Sequence, residues 1–211
     1  MRPFLLLLVL FLETCTAQKK TDTIKNITME PIVTKDFEKF NQNEYPFLEE
    51  EQPEVYRGFD QEKNYIVIVK ANAGISYIKN FNNSYFAVSK IFYSNGNIKR
   101  KGIAFNNSFC KATWYEFSED GKLIKETNYD APYKFTFEQV LQFCEKGKIP
   151  LTRGPITGGI HTEIARGMDN ALKKNVWYVS WFKQSDLIET FVLDAETGKV
   201  IDKKYSEYIN N

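Results

Sequence analysis

The chain has 211 residues, 43% hydrophobic and 15% aromatic, enough for one ordinary domain or two small ones with a packed core. Lys and Arg number 28 against 27 Asp and Glu, a net charge of +1 without a long basic run, which excludes the electrostatic footprint of a nucleic-acid binder. One histidine and three cysteines leave zinc sites short of ligands and make any Ser-His-Asp or Cys-His mechanism depend on His161.

In chain order, Arg2, the apolar run Phe4 to Leu12 and the small polar segment Glu13 to Ala17 have the three regions of a secretory signal. The run is shorter than the about 20 residues that a spanning helix needs. Two cleavages compete: after Ala17, which makes residues 1–17 a signal peptide, or before Cys15, which makes it 1–14 and attaches lipid to Cys15. The second resembles the bacterial lipobox through Leu12 and Thr14, whereas Glu13 departs from it. That resemblance implies an exported lipoprotein in the periplasm or at the outer membrane or cell surface, touching the membrane through its lipid anchor only. Cys110 and Cys144 then remain as an even pair in a compartment that permits a disulfide, the alternative being two small buried apolar residues.

Residues 18–62 are polar, contain the acidic run Glu49-Glu50-Glu51 and show no sustained period, which predicts a tether, with Pro46-Phe47-Leu48 and Val55-Tyr56 as places for local docking. The acidic run lacks the alternating ligands and central Gly of a calcium loop and reads as solvated charge. From Asn64 the pattern turns to strands: Tyr65 to Val69, Ser84 to Tyr93, Ile98 to Phe105, Lys111 to Phe117 and Leu123 to Tyr129. Asn95-Gly96 and Asp120-Gly121 predict type I′ hairpins. Thr136 caps a helix over Phe137 to Lys146, with Val140, Leu141 and Cys144 on one face and Gly147 at its end. Val176 to Lys183 and Leu187 to Asp194 make another hairpin, and Lys199 to Ile209 a last strand after the turn Glu196-Thr197-Gly198. The expected fold class is α+β, mainly antiparallel sheet built from hairpins, with one packed helix near residues 137–146. Whether it has one continuous sheet or two stays open.

Ile91 to Phe105 can be laid on Trp114 to Tyr129, an internal repeat of strand, Gly turn and returning strand. Tyr93, Gly96, Ile98 and Lys99 in one copy, and Trp114, Phe117, Gly121, Leu123 and Lys125 in the next, resemble the variant MORN-type repeats of exported Bacteroidota proteins, in the YwqK antitoxin-like family. Ala112 stands where that pattern has Gly. Further on, the helix, the Trp177 strand and the hairpin Asp194, Thr197, Gly198, Lys199 and Val200 are similar to the PepSY-like theme. These resemblances divide the chain into a MORN-like β region over 63–131 and a PepSY-like helix with hairpins over 132–211. They imply a sheet scaffold for binding, without catalytic residues.

Arg153, Gly158, Gly159, His161 and Arg166 form the most unusual segment, a candidate anion or ligand loop, although its spacing matches neither the P-loop nor the dinucleotide fingerprint. The plainer reading is a flexible turn before a strand, Ile160 to Arg166. No catalytic residue, metal site or cofactor is expected. The function expected is a non-enzymatic cell-envelope lipoprotein, a protein-interaction module of immunity or antitoxin-like type with a protein partner in the envelope. The alternative is a periplasmic or surface module that binds a small ligand or glycan, with Trp114, Trp177 and Trp181 as its platform if they are exposed.

Overall fold

The computed structural model describes residues 30–105, 108–156 and 161–208. The first eight strands are β1 (Glu49–Gln52), β2 (Val55–Phe59), β3 (Tyr65–Ala71), β4 (Gly74–Asn80), β5 (Phe86–Phe92), β6 (Ile98–Phe105), β7 (Phe109–Phe117) and β8 (Leu123–Asn128). They pair antiparallel in chain order as one eight-stranded sheet. After helix α1 (Phe137–Gly147), strands β9 (Glu163–Asp169), β10 (Lys174–Gln184), β11 (Leu187–Asp194) and β12 (Val200–Glu207) form a second sheet, ordered β12-β11-β10-β9. The α+β class holds, and the open question of one sheet or two resolves as two.

The repeat has a structural basis, but its turns are not type I′. Gly96 N–H donates to Tyr93 O at 2.9 Å and Tyr93 N–H donates to Asn97 O at 2.8 Å; Gly121 and Ser118 make the equivalent bonds at 2.9 Å each. Positive φ falls only on Gly96 (83°) and Gly121 (87°), not on Asn95 or Asp120. Each hairpin is therefore an ordinary turn closed by a glycine bulge, and the ladder slips beside each one, at Ile91/Phe92 and Glu116/Phe117. The two turns are cross-linked: Tyr93 Oη donates to Phe117 O and Asn97 Nδ2 to Glu119 O, both at 2.9 Å. Ala112 holds φ 56°, the left-handed conformation that glycine favours. A neighbouring glycine has a different task. A Cβ on Gly102 would lie 2.2 Å from the Trp114 indole, so only glycine lets that ring lie across β6.

Helix α1 starts with a full capping box, in which the Thr136 side chain accepts from Gln139 N–H and Gln139 Oε1 accepts from Thr136 N–H. It turns off at Lys148 (φ 54°), one residue beyond the glycine expected to end it. Its inner face, Phe137, Val140, Leu141 and Cys144, is buried in a core shared by both sheets. The Phe137 ring meets Phe86, Phe105 and Phe109 of the large sheet at 5.3, 5.1 and 5.8 Å and Trp177 of the small sheet at 6.1 Å.

One expectation is corrected here, and one open alternative is decided. Residues 30–62 are not a tether. Lys39 bridges Asn97, Phe40 N–H donates to Gly96 O at 2.8 Å, and Phe40, Tyr45 and Leu48 pack on a second core of Ile66, Ile68, Tyr77, Phe92, Ile98 and Phe117. The acidic run itself becomes β1, at the sheet edge, where its carboxylates stay in water. Residues 18–29, like the signal peptide and Cys15, lie outside the described residues. Cys110 and Cys144 are free thiols, not a disulfide. Cys144 sits on the buried side of α1, and burial pushes its thiol up to about 12. Cys110 lies on β7 with its Sγ 3.9 Å from an Arg100 amino group.

Candidate functional site

The expected anion loop does not assemble. Arg153 stacks over Tyr85, 5.1 Å from the ring centre, and donates to Asn83. Arg166, on β9, turns inward: its side chain is 4% exposed, and it donates to Cys110 O at 2.5 Å and Asp130 Oδ1 at 2.8 Å. Its guanidinium lies over Phe109, Tyr133 and Trp177 at 4.7, 4.4 and 5.1 Å. Arg166 thus belongs to the shared core, not to an anion site. Gly158 and Gly159 lie outside the described residues. His161 lines a 260 Å³ pocket with Phe105, Ser108, Thr162, Glu163 and Ile164, too small for most organic ligands. Of the tryptophans, Trp114 and Trp177 are buried and Trp181 is half-buried, so no sugar platform is built from the three together.

The two faces of the large sheet differ sharply. One carries Tyr77, Lys90 and Lys101, opposite each other along one row, and is covered by residues 30–48. Lys101 is wholly buried, its ammonium donating to Asp36 O at 2.5 Å and Glu38 Oε1 at 2.6 Å. Glu38 also pairs with Lys90. Burial works to raise the Glu38 pKa, but the hydrogen bonds from Lys101 and Lys90 hold it below its ordinary value. Lys111 is met by Glu30, Asp130 and Glu138 at 3.3 to 3.4 Å; burial works to lower its pKa, and these carboxylates raise it. The N-terminal stretch therefore supplies two of the acids that buried lysines of the sheet require.

The other face presents the opposite parity. Arg57, Val67, Ile78 and Ser89 oppose one another across β2 to β5, and Val69, Ser76, Ile91, Arg100, Glu116 and Lys125 across β3 to β8. Tyr65, Val67 and Ile78 are only half-buried, Phe59 is 57% and Ile91 39% exposed, and the Phe59 and Tyr65 rings touch at 5.1 Å. Arg100 lies over Trp114 at 4.4 Å and reaches Tyr129 Oη at 2.7 Å. An apolar stripe is thus rimmed by Arg57, Arg100, Glu116 and Lys125. Sequence reasoning missed it, although Tyr65 to Val69 carried the signal. A strand with one wet face alternates, and this one is apolar at both parities.

Two acids of the small sheet, Glu189 and Asp194 on β11, are held well below the ordinary carboxylate range. Glu189, on β11, is nearly fully buried and receives Trp181 Nε1 at 3.0 Å and the Lys183 and Lys203 ammonium groups at 2.9 Å each. Burial works to raise its pKa, but bonds from Lys203, Lys183, Tyr205 and Trp181 win and hold it at about 2. The unfolded chain, with an ordinary glutamate, binds this proton at higher pH than the folded one. The resulting stabilisation is complete above roughly pH 5 and is lost as pH falls towards about 2. The melting temperature is expected to fall over that interval, and Glu189→Gln to flatten the fall; an unchanged slope in the variant would refute this.

Among the described residues there is no group of three or more His, Cys, Asp or Glu able to hold a metal ion, and no helix long and apolar enough to cross a membrane. Compared with known protein families, curated proteins and solved structures, the chain matches none.

Proposed function

We propose that this protein is a non-enzymatic, lipid-anchored component of the cell envelope that binds another protein through the open face of its large sheet, in the manner of an immunity or antitoxin-like factor. The observation that carries the reading is the apolar stripe through Val67, Ile78 and Ile91, left accessible on a rigid sheet whose opposite face is already filled. An apolar patch with a polar, charged rim is the composition of a protein interface. The paired glycine-bulge hairpins and the helix laid on a four-stranded sheet support the MORN-like and PepSY-like resemblances, both of which imply binding modules.

The test is a tagged chain recovered from envelope extracts in mild detergent. The unmodified protein should retain a stoichiometric partner. Val67→Glu with Ile78→Lys, which places an opposed charge pair at the centre of the stripe, should lose that partner with an unchanged circular dichroism spectrum. Retention of the partner by the double variant, or no partner for either protein, overturns the reading. In the same preparation Cys15→Ser should move the protein from the membrane to the soluble fraction; continued membrane retention overturns the anchor.

A further inference from the structure

We propose that β12 is a self-association edge, at which two copies of this chain pair antiparallel about a two-fold axis through Lys203 and join their small sheets into one of eight strands. The inference concerns a different sheet from the open-face reading, so either can fail without the other.

β12 is the outer strand of its sheet and all eight of its residues are exposed. Much of what it exposes is apolar: Val200 and Tyr205 are 48% and 53% accessible, and Ile201 and Tyr208 are also exposed. The backbone fixes which groups are free. Tyr208 N–H donates to Asp186 O at 2.8 Å, and the ladder continues as Ser206 with Ile188 and Lys204 with Thr190. Alternate residues bond to opposite sides of a strand, so Lys203, Tyr205 and Glu207 turn their N–H and C=O groups away from β11. A second strand can pair only by matching outward groups to outward groups, which requires the two-fold axis to pass through a residue and not between two.

Charge then selects the residue. An axis at Lys203 opposes Asp202 to Lys204 and Ile201 to Tyr205 of the second copy, each twice; Lys199 lies past the bulge in the ladder, with its carbonyl turned inward to Asp194 N–H. An axis at Lys204 opposes Lys204 to itself and Ile201 to Glu207. An axis at Asp202 opposes two aspartates. An axis at Tyr205 matches Lys203 with Glu207 but leaves Asp202 and Lys204 only the ion pair they make within their own strand, at 3.6 Å. The Lys203 register does bring two copies of Lys203 together. Each of these is already held in its own sheet by Glu189 at 2.9 Å, with its ammonium 4.7 Å over the Phe191 ring. Its charge is therefore answered before the second copy arrives. Lysines on an edge also serve to keep strands apart, and a monomer is accordingly the competing outcome.

Sedimentation velocity on the full chain, with Cys15→Ser to remove the anchor, should show a concentration-dependent dimer. Lys204→Glu opposes like charges twice and should weaken dimerisation roughly tenfold in Kd. The swap Asp202→Lys with Lys204→Asp should restore it. All these side chains are exposed, so folding is not at stake. As a register test, Asp202→Cys with Lys204→Cys should form intermolecular disulfides under mild oxidation, because those positions face each other as a close pair, whereas either single variant should not. A monomer at every concentration, a dimer indifferent to Lys204→Glu, or equal cross-linking by the single variants overturns the proposal.

Discussion

Glu38→Ala is expected to lower the free energy of unfolding by about 3–5 kcal/mol, because it strips a wholly buried ammonium of its carboxylate. Lys101 has no water to turn to, and its remaining acceptor is the carbonyl of Asp36, on the same segment that the substitution loosens. Lys90 loses its partner in the same step. The check is urea denaturation followed by circular dichroism. Replacing both ends of the pair, Glu38→Leu with Lys101→Met, should recover most of the loss, since an apolar pair of similar volume has no desolvation cost to offset. A Glu38→Ala protein as stable as the parent would mean that residues 30–48 do not lie on the sheet as described.

Phe137→Ala should cost a similar amount, about 3–5 kcal/mol, for a different reason. The ring fills the space between the sheets, touching three phenylalanines of one and Trp177 of the other. Removing it opens a cavity at the one place where the sheets share a core. The unfolding transition is therefore expected to broaden or split, as two sheets that melted together begin to melt separately. Calorimetry distinguishes this from simple destabilisation. A single sharp transition at lower temperature would show that the other shared contacts, including Arg166 with Asp130, couple the sheets by themselves.

The helix and most strands were legible because their signals are local. Thr136 and Gln139 form a capping box within one turn, and Val140, Leu141 and Cys144 recur at helical spacing. What was not legible depends on residues far apart in the chain. Glu30 and Glu38 look like solvated charges until Lys111, Lys90 and Lys101 are seen to need them, and those lysines stand at inward strand positions that polarity alone assigns to solvent. The same blindness assigned residues 30–62 to a tether and missed β1, β2 and β4. Arg166 looked like an anion ligand because its aromatic cage comes from β7, β10 and Tyr133. The turns failed more narrowly: Asn-Gly and Asp-Gly marked the hairpins, but whether the glycine closes a turn or follows it depends on the ladder register.

The chain-order pairing of every strand has a kinetic consequence. Each hairpin can zip as soon as its second strand exists, since none waits for a distant partner. The N-terminal stretch does wait: Glu38 meets Lys101 only 63 residues later. At ordinary rates of synthesis that is a delay of about 3 to 13 s. As Ile66, Ile68 and Tyr77 of the second core emerge during it, their cover is not yet pinned by the Glu38 ion pair. A segment made early thus finishes docking only after the sheet it covers has reached β6, and the interval before Lys101 emerges leaves part of that core open to aggregation.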